Sequence, residues 1–470
     1  STGVDGGGGM QINSSNPTLT NVTISGNTSN TNGGGMLILV DCHITLVNSI
    51  MWNNYPQEIY FDYSPAYPSS PDSITVSYSN IDGGQDSIVT IENSSITWGS
   101  GNIDVNPRFI DSENSNYHLL ASSQLINAGH PDSTDSDGSI ADMGAYPYLN
   151  NYSGPTWYIT ASGNDTTGTG ASGDPFRSIQ AGINFSSDAD SVTVAAGTYV
   201  ENINFRGRNI RVAGENRETT IIDGNQDGSV VTFENGEESG AILSGFTITN
   251  GAGIYSQNSS PTLKNVTISE NSSDSHGGGI RLEYSDPLID NVTIIGNTAG
   301  GHGGGMMVSN GSSPEIRNVV IKNNIGSEGG GIAFMAGGSP KLENVLIHNN
   351  TAGSFGGGIY CGAQHMSLTN VTITENSSNA VGGSIYFAYQ NFDDSDERPI
   401  ITNSIFWDNS PQEFYIYDPA GEVEGSFEIS YSNIENGQDS VVVDGSSEPV
   451  WGSGNIDVDP MFVDTANGDY

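Results

Sequence analysis

The stretch that decides the fold is SPTLKNVTISEN, residues 260–271, because it recurs at nearly constant spacing. Its copies are DPLIDNVTIIGN (286–297), SPEIRNVVIKNN (313–324), SPKLENVLIHNN (339–350) and MSLTNVTITEN (366–376). The asparagine that opens each NV-x-I segment is spaced by 26, 27, 26 and 26 residues, at Asn265, Asn291, Asn318, Asn344 and Asn370. A repeat of this length predicts a solenoid, in which each repeat packs only against its neighbours.

Each repeat carries the pattern of short strands. Val266 and Ile268 lie two residues apart and therefore share one face of a strand, while Thr267 between them points outward. Strands this short bury a face only when coils stack and like side chains lie over like. Helical repeats would need long runs of helix-forming residues, and leucine-rich repeats would need several leucines per unit. These units are rich in Asn, Gly, Ser and Thr instead, so the sequence predicts a parallel β-helix.

The repeated asparagine must turn the chain between two strands. Asn tolerates the left-handed conformation and can hydrogen-bond neighbouring turns, so we expect the five residues Asn265 to Asn370 to form an inward-turned ladder. Glycosylation of these asparagines is not expected, although Asn265 and Asn370 each begin an Asn-x-Thr triplet. A second asparagine row lies six residues on, at Asn271, Asn297, Asn324, Asn350 and Asn376. The Gly-rich patches that follow, such as 277–279, fit a corner that needs positive φ.

A longer period lies over the coil repeat. NSIMWNNYPQEIYF (48–61) recurs as NSIFWDNSPQEFYI (403–416), and Trp98 recurs as Trp451, at a distance of 451 − 98 = 353 residues. The expected domains are as follows. Residues 1–148 form the C-terminal half of one module, 149–156 are a linker, and 157–470 are the next module, which lacks its C-terminal segment.

The start of the second module predicts a capping helix near 174–185, in DPFRSIQAGINF. Asp174 would be the N-cap and Pro175 the first helical residue, and Phe176, Ile179 and Ile183 would share one face. A helix laid across the end of a β-helix would cover its unpaired strand edges and its exposed apolar ladders.

Composition narrows the classes of partner. The 12 Lys and Arg residues against 54 Asp and Glu residues give a formal net charge of −42. Such a surface disfavours nucleic acid and anionic lipid, and no apolar run is long enough for direct membrane insertion. The two cysteines, Cys42 and Cys361, lie in non-equivalent coils, so we expect buried thiols rather than a disulfide.

The chain resembles secreted bacterial right-handed parallel β-helix proteins of the pectate-lyase-like superfamily. The resemblance lies in SGNDTTGTG (162–170), DPFRSIQAGI (174–183) and VTVAAGTYVENI (192–203). The NVTI-x-x-N and GGGI repeats resemble those of polymorphic outer-membrane proteins and surface adhesins, and 116–146 resembles a closing segment of such modules. The expected fold class is all-β: a right-handed parallel β-helix (solenoid) with three short strands per coil of about 26 residues, in tandem modules with an N-terminal capping helix.

The resemblance implies the fold more strongly than an enzymatic activity. Pectin-cleaving members of the superfamily need an acidic cluster and a cation for catalysis. His302, in Gly-His-Gly, superficially matches a hydrolase motif, but no acidic motif lies upstream. The nearest acidic cluster is Asp393, Asp394 and Asp396. Lys264, Arg281 and Arg317 are expected to be isolated surface charges rather than a lyase base. We therefore predict no catalytic residues.

Two binding sites are expected from residue type and position. Carboxylates crowded in one loop repel one another unless a cation lies among them, which makes a calcium site possible at Asp132, Asp135, Asp137 and Asp142. Outward aromatic side chains stack on sugar rings, which makes a glycan-binding face possible at Tyr255, Tyr360 and Tyr386.

The leading functional hypothesis is a non-enzymatic structural and adhesive module of a long tandem-repeat protein, secreted or on the cell surface, with fibre formation as a further hypothesis. Its expected partners are other copies or modules end to end, and extracellular or cell-surface polysaccharide. The alternatives are a polysaccharide lyase or glycoside hydrolase acting on acidic glycans, and a non-catalytic carbohydrate-binding module.

Overall fold

The computed structural model describes residues 2–3, 6–62, 71–335, 337–362, 365–388, 398–418 and 426–463. These residues fall into two compact units. One unit contains Ser1–Trp157 and Ser162–Phe185, and the other contains Tyr158–Ala161 and Ser186–Tyr470. The sequence repeat predicts that the second module starts at residue 157, whereas residues 162–185 belong to the first compact unit.

The first unit is built from stacked coils whose strands pair in parallel, followed by one antiparallel pair. One four-stranded sheet contains Thr18–Thr20, His43–Val47, Ser73–Ser77 and Ser95–Trp98. A three-stranded sheet contains Thr23–Ser25, Ile50–Trp52 and Asn80–Ile81, and a second four-stranded sheet contains Met10–Ile12, Met36–Ile38, Ile59–Phe61 and Ile88–Val89. Thr2–Gly3 pairs with Thr28–Ser29, and the antiparallel pair is Phe109–Asp111 with Asn116–Leu119.

The longest sheet of the chain is parallel and has 19 strands. Its strands are Thr156–Ile159, Ser191–Val194, Gly197–Val200, Arg211–Gly214, Thr220–Asp223, Ile242–Ser244, Thr247–Thr249, Thr262–Lys264, Thr267–Ser269, Leu288–Asp290, Thr293–Ile295, Glu315–Lys322, Lys341–His348, Ser367–Thr374, Ile400–Thr402, Ile405–Trp407, Glu428–Ser430, Asn433–Ile434 and Val450–Trp451. In several coils two short strands of this sheet are separated by two residues, of which the first is an asparagine in the coils of Asn265, Asn291 and Asn403. In three coils the two strands merge into an eight-residue strand.

Two further sheets run along the second unit, and the shorter of them spans five coils. The ten-stranded sheet contains Ile203–Asn204, Val231–Phe233, Ile254–Gln257, Ile280–Glu283, Met306–Ser309, Ile332–Phe334, Ile359–Cys361, Ile385–Ala388, Phe414–Asp418 and Val441–Gly445. The five-stranded sheet contains Ser272–Ser273, Thr298–Ala299, Ile325–Glu328, Thr351–Phe355 and Ser377–Ser378. Three sheets of parallel strands confirm the predicted β-helix.

The core consists of columns of like side chains. Ile268 pairs in register with Ile294, and the column continues through Ile321, Ile347 and Ile373, all of them fully buried. Cys42 and Cys361 are buried thiols. Because each apolar side chain lies over its equivalent one coil away, a thin core suffices for a chain that is only 34% hydrophobic.

The corner glycines have the backbone conformation that the sequence predicts. Gly329 has φ +65, and a Cβ atom there would overlap the carbonyl oxygen of Ile332. The equivalent glycines Gly277, Gly303, Gly356 and Gly382 also have positive φ, between +63 and +70. A side chain would be strained at each of these corners.

The predicted helix is present but shorter. It runs over Ile179–Phe185, and the prediction that Asp174 is its N-cap is wrong. Asp174 instead accepts a hydrogen bond from the Thr169 amide through Oδ2, which closes a turn before the helix. Phe176, Ile179 and Ile183 are fully buried, as their spacing indicates. Three 3₁₀ helices, Gly84–Ser87, Ser112–Asn114 and Gly437–Ser440, complete the described elements.

Candidate functional site

One outward column of the ten-stranded sheet is aromatic over its C-terminal part. Tyr360 pairs in register with Tyr386, and Tyr386 pairs with Tyr415. The ring centroids of Tyr360 and Tyr386 are 5.4 Å apart, and those of Tyr386 and Tyr415 are 5.6 Å apart with planes within 6°. Parallel in-register strands thus produce a tyrosine stack that runs across three coils.

The three predicted glycan-binding tyrosines share this column but not one surface. Tyr386 is only 6% exposed, because Phe355 stacks on its ring at 4.8 Å and the two neighbouring tyrosines flank it. Tyr386 is therefore a buried spacer, and the expectation that its face is open to a ligand is wrong. Tyr360 and Tyr415 remain half-buried and present the accessible edges of the stack. Burial raises the pKa of Tyr360 to about 12.

Tyr255 lies in the same column, four coils before Tyr360. Its hydroxyl donates to Oε2 of Glu283 at 3.1 Å, and the Arg281 guanidinium lies 5.4 Å from its ring centroid. Arg281 also forms a 2.6 Å ion pair with Oε1 of Glu283. The expectation that Arg281 is isolated is wrong, and Tyr255 belongs to a polar cluster separate from the tyrosine stack.

The same expectation fails for two other cations. Nζ of Lys264 lies 3.7 Å and Nη2 of Arg317 lies 3.5 Å from Oδ2 of Asp290. A hydrogen bond from Asn318, followed by Arg317 and Lys264, lowers the pKa of Asp290. Because these cations are paired with a carboxylate, neither is placed as an unpaired base.

An adjacent column brings together histidines that the sequence did not connect. The rings of His276 and His302 are parallel within 6°, with centroids 4.8 Å apart. Nδ1 of His302 lies 3.0 Å from Oε2 of Glu328 on the next coil, and the His302 ring is 6.3 Å from that of Tyr360. Burial and the neighbouring His302 lower the pKa of His276. The sequence does carry a signal for this contact, since His276, His302 and Glu328 each directly precede a corner glycine.

This polar column does not amount to a metal centre or to a pair of catalytic carboxylates. Within the described ranges, no three His, Cys, Asp or Glu side chains are grouped so as to hold a metal ion. The acidic cluster Asp393, Asp394 and Asp396 lies outside the described residues. What the arrangement offers chemically is a partly buried imidazole–carboxylate pair beside an aromatic stack.

The aspartates predicted to bind calcium are occupied by protein donors. Asp135 accepts from the Asp142 amide at 2.8 Å, and both oxygens of Asp137 accept backbone N–H groups, from Ser139 and Asn150. Asp142 is 2% exposed and accepts from two further backbone amides. Burial raises the pKa of Asp142 to about 7. Asp132 lies on the exposed side of the loop, so the four side chains are not gathered around one point.

The first asparagine row lines up in a column, as expected, but faces outward. Asn265, Asn291, Asn318, Asn344 and Asn370 all have φ between 53 and 56. Asn265 is partly exposed and the other four are exposed, so the prediction of an inward ladder is wrong. The left-handed kink turns the side chain away from the core, and side-chain bonds between coils are confined to short links such as Asn370 to Asn344 at 3.2 Å.

The buried ladder is the second row. Asn324 is fully buried, and its backbone N–H and side-chain Nδ2 both donate to Oδ1 of Asn350, at 3.0 and 2.9 Å. Its Nδ2 also donates to the Ile294 carbonyl of the preceding coil. The same bonds link Asn271, Asn297, Asn324, Asn350, Asn376 and Asn409. Within the column, each asparagine donates to the Oδ1 of the asparagine on its C-terminal side.

A glutamate ends each ladder. The backbone N–H and Nδ2 of Asn409 donate to the two carboxylate oxygens of Glu413, at 3.3 and 2.8 Å. In the first unit, Asn54 donates to Glu58 in the same way, at 2.7 and 2.5 Å. Both glutamates are buried, and burial raises the pKa of Glu58 to about 7 and that of Glu413 to about 8. The recurring PQE triplet was the only trace of this role in the sequence.

The fold agrees with a known family. A family model described as the right-handed beta helix region matches residues 210–361 and 252–458. No curated protein matches the chain. Among solved structures, the pectate lyase Pel9A is 16% identical, with a TM-score of 0.38 over 66% of this chain and 84% of its own. A pectin methylesterase from carrot is 12% identical, with a TM-score of 0.33 over 67% and 91% of the two chains. No helix among the described residues is long and apolar enough to cross a membrane.

Proposed function

We propose, from the premise that this chain belongs to the right-handed β-helix family, that it is a non-enzymatic structural and adhesive module of a long extracellular or cell-surface protein. The observation that carries the proposal is that the same arrangement of residues ends the asparagine ladder in both units. The Asn54–Glu58 and Asn409–Glu413 terminators have the same bonds, and the 3₁₀ helices Gly84–Ser87 and Gly437–Ser440 follow them at equivalent places.

The chemistry of the chain supports this function over catalysis. Its continuous backbone ladders and buried asparagine column stabilise long stacks of coils, and its net charge of −42 keeps stacked copies soluble. Several charged groups on the outward columns are paired with one another, as in the Arg281–Glu283 and Lys264–Asp290 pairs. The acidic composition disfavours nucleic acid as a partner and fits an extracellular setting.

The test compares chains that contain one, two and three modules by electron microscopy. We expect particle length to grow by a constant increment per module. Particles that stay the same size as modules are added would contradict the structural role. The enzymatic alternative is tested on the same samples with polygalacturonate and Ca²⁺, where release of unsaturated uronates would favour a lyase.

The tyrosine stack supports carbohydrate binding as a second candidate. Tyr360 and Tyr415 present partly exposed rings on successive coils, and aromatic faces stack on sugars. We expect Tyr360→Ala and Tyr415→Ala each to weaken oligosaccharide binding on a glycan array. Tyr284→Ala is the matched control, because Tyr284 is 60% exposed and lies outside the stack. Equal binding by all three variants would exclude the stack as the glycan site.

A further inference from the structure

Two segments assigned by sequence to different modules fold together in the first unit. Residues 119–148, which overlap the closing segment 116–146 and are given that name below, belong to the first module, and the leading segment, residues 162–185, begins the second. Both lie within one compact unit. The backbone N–H of Ala121 donates to the Asp165 carbonyl at 2.7 Å, which joins the two segments directly.

Asn184 is the polar centre of this joint. It is fully buried, and its Nδ2 donates to the carbonyl oxygens of Ala121 and Ser123, at 2.9 and 2.8 Å. Gln180 holds the amide in place by donating to its Oδ1 at 3.0 Å. In return, Asn127 of the closing segment donates to the Asn184 carbonyl at 3.3 Å. Loss of this amide would leave two buried carbonyl groups without these donors.

Aromatic contacts surround the polar centre. The ring of Tyr148 lies 5.5 Å from that of Phe185, and the Tyr148 hydroxyl donates to the Gly168 carbonyl at 2.7 Å. Phe185 also packs against the apolar cluster of Leu119, Leu125 and Ile126. The rings of Trp157 and Phe176 also contact that of Phe185, with centroids 5.7 and 5.2 Å away. The joint therefore combines a desolvated apolar centre with directional hydrogen bonds, as stable interfaces do.

We propose that the closing segment is a docking surface whose partner is the leading segment of the following copy of the module. This proposal rests on the tandem organisation proposed above and adds how successive copies are joined. The contacts are made by side chains that the two segments bring from either side of residues 149–156, so the joint holds without an unbroken chain between them.

The experiment uses the full chain with a protease recognition sequence inserted between Asn151 and Tyr152 and cut after folding. We expect the two pieces to co-elute in gel filtration at low micromolar concentration. Asn184→Ala should weaken their association roughly tenfold or more, because two buried hydrogen bonds are lost. Asn164→Ala is the control, since the side chain of this exposed asparagine bonds Thr166 and Thr167 of its own segment.

Separation of the unmodified pieces on cutting would overturn the proposal, and so would equal association by the Asn184 and Asn164 variants. If Asn184→Ala fails to fold, Asn127→Gly replaces it, because glycine keeps the positive φ of residue 127 and removes the side-chain bond to Asn184. Failure of this docking leaves the measured length of multi-module particles unchanged, so the outcome is distinct from failure of the proposed function.

Discussion

At the scale of single residues, two asparagine rows that look alike in sequence do different work. Asn318 supplies a left-handed kink and lies exposed, whereas Asn324, six residues later, is buried and bonds both neighbouring coils. The first is selected for its backbone conformation and the second for its amide. Substitution by glycine separates the two, because glycine adopts positive φ freely but has no amide.

We predict that Asn318→Gly changes the free energy of unfolding by less than about 1 kcal/mol, since only a kink must be kept. Asn324→Gly should lower it by about 3 kcal/mol, because buried donors and acceptors in two coils lose their partners. Hydrogen exchange of the Glu315–Lys322 and Lys341–His348 strands measures both effects. Similar losses in the two variants would refute the division of roles.

The buried glutamates predict a pH dependence of stability. The folded-state pKa of Glu413, about 8, lies above its ordinary value of 4.5. Protonation is therefore favoured in the folded state, so the stability that this group contributes is complete below pH 4.5 and is lost as pH rises to about 8. Desolvation by burial is the main cause, and Glu435 and Asp408 add to it.

We expect the thermal unfolding midpoint of the second unit to fall between pH 5 and pH 8, and Glu413→Gln to flatten this profile, because the variant has no titrating group at this position. Asp439→Asn is the control, since Asp439 lines the same cleft but does not accept from Asn409. An unchanged slope in Glu413→Gln would show that other carboxylates govern the profile.

Sequence reasoning found the register of both asparagine rows but not which one is buried. The two rows consist of the same residue type repeated at the same spacing, so the sequence does not distinguish Asn265 from Asn271. The left-handed backbone kink at Asn265 decides which way its side chain turns. The pairing of His302 with Glu328 escaped for a related reason, since their contact depends on which corner residues of successive coils stack.

At the scale of elements, the corner glycines limit what each coil tolerates. We predict that Gly329→Ala lowers the free energy of unfolding by about 2 kcal/mol or more, because φ is +65 and the new Cβ would overlap the Ile332 carbonyl. Gly353→Ala should change it by less than about 0.5 kcal/mol, since its nearest neighbour, Ser327, is 3.6 Å away. Denaturant unfolding of the two variants compares them directly, and equal stability would contradict the corner's role.

For the helix, the apolar pattern predicted the buried face correctly, but the N-cap signal at Asp174 predicted the wrong first residue. Phe176, Ile179 and Ile183 are buried, yet the helix begins at Ile179 because Asp174 is committed to the turn with Thr169. The Asp165 carboxylate instead accepts from the amides of Arg177 and Ser178 just before the helix. A capping residue fourteen positions before the helix leaves no local signature, so it could not be read from sequence.

At the scale of the whole molecule, the net negative charge is the main electrostatic influence on the stability of the folded state. With a net charge of −42, mutual repulsion opposes the folded state, and salt screens it within a Debye length of about 8 Å at physiological ionic strength. We predict that the unfolding temperature rises with NaCl concentration. CaCl₂ at matched ionic strength should add nothing further through Asp135, Asp137 and Asp142, whose oxygens already accept protein N–H groups. A calcium-specific increase that is lost in Asp137→Asn would instead establish a site in this loop.

The fold as a whole was predictable because successive coils repeat the same sequence pattern. Five copies of the NV-x-I segment indicate both that the coils stack and which residues lie over one another. The joint between 119–148 and 162–185 was not, because it occurs once and its contacts have no periodicity. Repetition reveals what neighbouring coils share, and it says nothing about what a single boundary requires.

The directionality of the buried asparagine column has a consequence for how such proteins change length. Along the column, the Oδ1 of each asparagine accepts from the asparagine before it, and its N–H and Nδ2 donate to the asparagine after it. At the last asparagine, Asn409, the acceptor is Glu413 instead. A duplication that inserts one whole rung between Asn350 and Asn376 leaves both termini of the column chemically unchanged. An insertion of half a rung would strand an amide inside the core. Such genes can therefore lengthen or shorten in whole-rung steps, with the terminating carboxylate as the fixed point.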